Sequence, residues 1–217
     1  MKKLLAIILA IALLCIIAVG TTLTYFTDTD YDTNTMTVGK VGINQTINGN
    51  ETGVVSAPMF PVTAEPDANG LVPVANNGVN LDVVVTVDND SKDAYVRTLF
   101  AFELKANGTS PIGTDVMLVG SGITMTDVTF TKDGVQYIVG VCDYSDALVS
   151  AGATLSSLKQ VYLASTVGNE FSTAVGGVYD ILVRSQAVQA QGFTSADAAL
   201  TAAFGEVNAA NVATWFN

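Results

Sequence analysis

The 217-residue sequence contains no histidine. That absence removes the Ser-His-Asp and Cys-His nucleophile systems and every zinc site built on an HExxH helix. Cysteine is nearly missing too: Cys15 sits in an apolar leader and Cys142 stands alone in a Val-rich stretch. One remaining cysteine can build neither an internal disulfide nor a thiolate metal site, and in that setting it reads as a small core residue. Also lacking are a Walker-type phosphate loop, a dinucleotide fingerprint after a strand, and the paired Asp-Thr/Ser-Gly segments of aspartic proteases. Charged residues make up only 13 % of the chain, and five of the twenty acidic ones are Glu. A glycosidase needs no more than a carboxylate pair, so a secreted hydrolase remains the third-ranked reading. No Glu stands in an aromatic-rich setting, and the expectation is a protein that is not an enzyme.

What is present begins with Lys2 and Lys3, followed by an unbroken apolar run from Leu4 to Val19. A basic start, an apolar core and small residues at its end describe a secretory signal over residues 1–20. The run is short against the roughly 20 apolar residues of a membrane span, although an uncleaved N-terminal anchor stays open as the alternative. Ala18 and Gly20 meet the small-residue requirement for processing and make Thr21 the new N-terminus; a cut nearer Thr24 is the other option. Leu14 precedes Cys15 where a lipoprotein has a small residue, so lipidation is not expected. Loss of the leader leaves seven basic and twenty acidic residues, a net charge of −13. Nucleic acid and anionic membrane surfaces both call for clustered Lys or Arg, so neither is an expected partner.

Period-2 patterning dominates the rest. Leu81, Val83, Val85 and Val87 share one parity, as do Val96, Thr98, Phe100, Phe102 and Leu104. Asp133-Gly134 between two such runs predicts a hairpin, with Val135, Tyr137, Val139 and Val141 on one face. Further strands are predicted at 158–163 and 178–189, the latter with Tyr179, Ile181, Val183 and Ala187 inward. Residues 44–80 are rich in Asn, Gly and Pro and read as long connections with one short strand at most. Near the C-terminus, Thr194-Ser195-Ala196-Asp197 offers a capping-box-like start and Gly205 a stop for one helix, and a second short helix over 208–216 carries Trp215 and Phe216 against the body. The expected fold is all-β with minor α: an antiparallel, jelly-roll-like β-sandwich over residues 44–217, one or two short C-terminal helices, and an extended segment at 21–43.

Asp28, Asp30 and Asp32 alternate just after the leader, and Asp88, Asp90 and Asp93 cluster in a turn. Calcium is the one cofactor these residues suggest. An EF-hand loop starting at Asp28 needs Gly at position six and Glu at position twelve, and the sequence has Thr33 and Gly39 there. A looser oxygen site is left as a weak candidate beside the simpler reading of solvated acidic turns.

The leader, then Tyr25-Phe26-Thr27-Asp28 and the stretch Asn34–Val41 (NTMTVGKV), together resemble the TasA/camelysin family of secreted Gram-positive proteins processed by a SipW-type signal peptidase. NDSKDAYVRTLFAFE (89–103), LKQVYLAST (158–166) and YDILVRSQAVQAQGFTSADAALTAAFG (179–205) are similar to members of that family as well. The resemblance implies a jelly-roll subunit of extracellular biofilm-matrix fibres, in which the N-terminal segment of one copy completes a sheet of the next. Some camelysins are described as metallopeptidases; without histidine this chain departs from any histidine-ligated zinc site, and that activity is not carried over. The residues that would form the polymerising strand are Tyr25, Phe26, Met36, Val38, Gly39, Val41 and Ile43. Met36 and Val38 share one parity, Val41 and Ile43 the other, with Gly39 placed to form a bulge between them. Burial of Tyr25 and Phe26 within the same molecule is the competing reading. The expected partners are other copies of the chain and, during export, the signal peptidase, with membrane contact only through an uncleaved leader. The second-ranked function is a monomeric cell-surface adhesion module that binds calcium.

Overall fold

The computed structural model describes residues 27–29, 40–168, 171 and 178–217. Among these lie twelve strands: β1 (Thr27–Thr29), β2 (Ile43–Ile47), β3 (Val54–Ala57), β4 (Val79–Asn80), β5 (Val83–Val87), β6 (Ala94–Glu103), β7 (Val116–Gly120), β8 (Ile123–Lys132), β9 (Val135–Cys142), β10 (Thr154–Ser156), β11 (Leu158–Leu163) and β12 (Tyr179–Gln189). Two helices follow, α1 (Ala196–Phe204) and α2 (Ala209–Trp215). Every pairing between these strands is antiparallel.

The strands make an all-β sandwich. One layer is a six-stranded sheet in the order β1-β12-β6-β9-β8, with β3 also on β12. The other layer comprises β10-β5-β2 and β4-β11-β7. Backbone bonds from Leu81 N to Lys159 O (2.9 Å) and from Ser157 N to Val83 O (3.1 Å) carry the ladder from one of these three-stranded units into the other. Val83, Leu158, Val161 and Leu163 of the second layer meet Phe100, Phe102, Ile181 and Val183 of the first in the main core. A smaller cluster at one end holds Val41, Ile43, Val85, Val87, Val96 and Ala187.

β6 and β12 lie at the centre of the larger sheet and are covered on both faces. Their second face packs on the helices: Leu99, Ala101 and Leu182 with Val212 and Phe216, and Val188 with Ala196, Ala199 and Leu200. Ser195 caps α1 by accepting from Ala198 N (3.2 Å), and Asn208 caps α2 by accepting from Asn211 N (3.0 Å). The β8–β9 hairpin closes through Asp133 (φ 51°) and Gly134 (φ 84°), the two left-handed residues a two-residue turn needs to match strand twist. Phe130 stacks on both Tyr137 and Phe216, at 5.4 and 5.5 Å between ring centroids, and so pins α2 over that hairpin.

The stretch 44–80 holds more structure than its composition predicts. β2 is a five-residue strand paired along its length with β5, and β3 and β4 are further strands. The pattern Ile-Asn-Gln-Thr-Ile hides a buried face because its middle inward residue, Gln45, is polar and held by hydrogen bonds. Packing in the sandwich reaches N-terminal of residue 44, to Val41 and Ile43.

Candidate functional site

β12 is the longest strand, and its two edges differ. One edge pairs with β6 over Ile181–Gln189. The outer edge is shared: β3 takes Tyr179–Leu182, and β1 takes Gln186–Val188 in the register Thr27↔Val188, Asp28↔Ala187, Thr29↔Gln186. Between them, Val183 N donates to Gly53 O at 2.7 Å, and Gln45 Nε2 donates to Val183 O at 3.3 Å. The opposite margin of the sheet is β8, whose pairing with β9 slips between Met125 and Thr129. Such an irregularity twists an edge away from further pairing.

Under the outer edge of β12 runs a line of buried hydroxyls and one amide. Tyr144 Oη lies 2.7 Å from Thr98 Oγ1, Thr98 Oγ1 lies 2.8 Å from Ser185 Oγ, and Ser185 Oγ donates to Gln45 Oε1 at 2.8 Å. Each hydroxyl has one proton, so the direction follows: Tyr144 donates to Thr98, Thr98 to Ser185, Ser185 to Gln45. Gln45 Nε2 ends the line on the carbonyls of Thr52 and Val183. The line ties β6 and β12 of one layer to β2 of the other. Burial pushes the Tyr144 phenol up to about 12. Tyr144 is held in place by a turn in which it, Ser145 and Asp146 are all left-handed (φ 54°, 62° and 56°), braced by Ser145 N donating to Asp143 Oδ1 at 2.9 Å.

Of the residues read from sequence as the polymerising strand, Val41 and Ile43 sit in the small core cluster, each 6 % exposed, and Ile43 pairs with Val87. Both pack within the body of their own chain. Tyr25, Phe26, Met36, Val38 and Gly39 lie outside the described residues, as do the processing residues Ala18, Gly20 and Thr21. Within the segment that remains, Thr27–Thr29 is on the β12 edge.

The two sets of candidate calcium ligands fare differently. Asp28 stands at the register position of Ala187, and Asp30 and Asp32 lie outside the described residues. Asp90 receives Lys40 Nζ on both carboxylate oxygens, at 3.1 and 2.9 Å, and Asp88 Oδ2 is 3.7 Å from the same nitrogen. The Lys40 ammonium occupies the position a cation would take between these two carboxylates. Its hydrogen bond holds the Asp90 carboxyl below the usual range and raises the Lys40 ammonium. Asp93 contributes its backbone carbonyl to Ala190 N at 3.0 Å. No group of three or more potential metal ligands gathers among the described residues. Cys142 is buried in the main core, donates to Ser121 O at 3.6 Å, and burial pushes its thiol up, the opposite of what a reactive thiolate needs.

Lys40 also anchors the point where the N-terminal segment joins the body. Gly42 N donates to Ser91 Oγ (2.9 Å), Ser91 Oγ donates to Gly42 O (3.1 Å), and Lys92 N donates to Lys40 O (3.0 Å). A Cβ at Gly42 would fall 2.2 Å from Asp88 Oδ2, so a larger residue there would require the Asp88 side chain to move. Neither this anchor nor the shared edge of β12 is visible as a motif. The only local signal was the chain's change from Thr- and Asp-rich to alternating apolar near Gly39. No protein-family model, curated protein or solved structure matches the chain.

Proposed function

We propose that this chain is a secreted structural subunit of extracellular biofilm-matrix fibres that assembles by donating its N-terminal strand to the β12 edge of the next copy. The observation that carries the reading is the position of β1. Among the described residues it is the outermost strand of the sheet on β12, it spans three residues, and residues 30–39 separate it in sequence from Lys40. A three-residue edge strand is held by few hydrogen bonds, each worth about 1 kcal/mol net. The same strand from a second copy makes identical contacts, so exchange costs little enthalpy and is governed by concentration and by freedom of the arm. An arm of about 15 residues spans on the order of 50 Å when extended, enough to reach a neighbour.

The reading also accounts for the leader. While residues 1–20 remain attached, the end of the arm is held back; processing near Thr21 by a signal peptidase releases it outside the cell. Assembly then belongs to the extracellular matrix or surface of a Gram-positive bacterium, with other copies as the partners and no catalytic step or cofactor involved. The test is negative-stain microscopy of the chain beginning at Thr21 beside the same chain lacking Tyr25–Val38. Filaments from the first and single subunits from the second are expected; filaments from both would remove the donor-strand reading.

A further inference from the structure

β1 and β3 lie on the same edge of β12, and both run antiparallel to it. They therefore point the same way, end to end, with only Val183–Ser185 of β12 between their paired stretches. The bond from Val183 N to Gly53 O extends the hold of β3 one residue further. A strand that enters as β1 does and continues past Thr29 runs directly into Gly53 and Val54.

The two sides of this pairing are unequal. β12 beneath β3 is fixed by the core, with Tyr179, Ile181 and Val183 all buried. β3 is four residues long, carries no charge, and alternates exposed with half-buried positions. Val54 is 46 % exposed, while Val55 packs against the core without being fully buried. Apart from the ladder, its described side-chain bond to β12 is an exposed one, Ser56 Oγ donating to Asp180 Oδ1 at 2.5 Å. Its outer edge has no partner strand among the described residues. The acceptor is thus well ordered without β3, and β3 adds little to the core.

We propose that β3 is a displaceable strand, which holds the far half of the β12 edge in the separate subunit and yields it to the N-terminal strand of a second copy. This rests on the fibre reading above and adds to it a competitor that limits how much of β12 an arm can take before assembly. Peeling β3 away replaces an uncharged edge strand by the arm that follows Thr29, which carries Asp30 and Asp32 before the uncharged stretch Thr33–Met36, so the backbone ladder on β12 is kept while the side chains along its edge change.

Ser56 and Asp180 stand directly opposite each other, and neighbouring antiparallel strands bring such pairs to about 4.5–5.5 Å between Cα atoms, within reach of a disulfide. The mature protein with Ser56→Cys and Asp180→Cys should remain as single subunits when oxidised and form filaments once reduced. Oxidised protein that polymerises as readily as the reduced form would overturn the proposal. Hydrogen exchange on the unchanged protein supplies a second readout: the amides of Val54–Ala57 should lose protection on assembly while those of Ile181 and Val183 keep theirs. Retained protection at Val54–Ala57 in filaments would equally overturn it. If neither the reduced variant nor the unchanged protein forms filaments, the fibre reading fails first and this role of β3 falls with it.

Discussion

The guanidinium carbon of Arg97 lies 5.0 Å from the centre of the Trp215 ring. Arg97 is on β6 and only 5 % exposed, yet no carboxylate among the described residues pairs with it directly. Instead its Nε donates to Gln186 Oε1 at 2.7 Å, an Nη donates to Gly205 O at 3.4 Å, and Phe204 lies 6.0 Å away on the far side. The side chain is a bolt through the layer where both helices meet the sheet. Burial lowers its pKa to about 10, against some support from Asp197.

The stem and the charge of Arg97 make opposite contributions, and substitution separates them. Arg97→Ala removes packing and bonds together and should cost about 2–4 kcal/mol in urea unfolding. Arg97→Met keeps the apolar stem and removes a buried charge whose desolvation is unfavourable, so it should cost clearly less. Equal losses would mean that the charge, and not the packing, holds the helices.

Tyr144 gives the fold an alkaline limit. Its folded pKa of about 12 stands above the value of about 10 for an exposed tyrosine. A group raised in this way stabilises the fold fully below pH 10, and that contribution is lost as pH rises from 10 toward 12. Thermal melts should fall across that window. Tyr144→Phe should lose about 1 kcal/mol at neutral pH, with its bond to Thr98, and should show a shallower alkaline decline. A decline as steep as in the unchanged protein would place its origin in other groups, Tyr137 first among them.

Lys40 bears on the calcium question. With its ammonium between Asp88 and Asp90, added calcium should give no thermal shift and no binding heat at that turn. Both partners are exposed, so Lys40→Ala should leave stability nearly unchanged. A calcium-dependent shift in the unchanged protein, reversed by a chelator, would restore the acidic turn as a metal site.

Much of the fold was legible because local and long-range preferences agree. The Asp133-Gly134 hairpin, the strands predicted at 158–163 and 178–189 and the two C-terminal helices stand within a residue or so of where turn chemistry and periodicity place them. β2 was hidden because its inward face carries Gln45, whose partners Ser185, Thr52 and Val183 come from elsewhere in the chain. The role of Arg97 has no local signal, since it comes from Trp215 at the far end of the chain. The candidate site was less legible for the same reason. Val41 and Ile43 resemble any exported strand until β5 is beside them, and the Lys40–Asp90 pair joins residues 50 apart. The outer edge of β12 has no sequence motif, since it is defined by the strands that come to pair with it.

The most direct test of the account asks whose β12 the N-terminal strand occupies. Filaments would be grown from an equal mixture of heavy-isotope-labelled and unlabelled mature chains carrying a photo-crosslinking residue in place of Thr29, which stands opposite Gln186. After illumination, mass spectrometry would read the label on each side of the β1–β12 cross-link. Donation between copies predicts cross-links that join heavy to light chains as often as chains of the same label. Cross-links confined to chains of one label, in filaments that have mixed, would show that each β1 stays on its own β12 and would contradict the account.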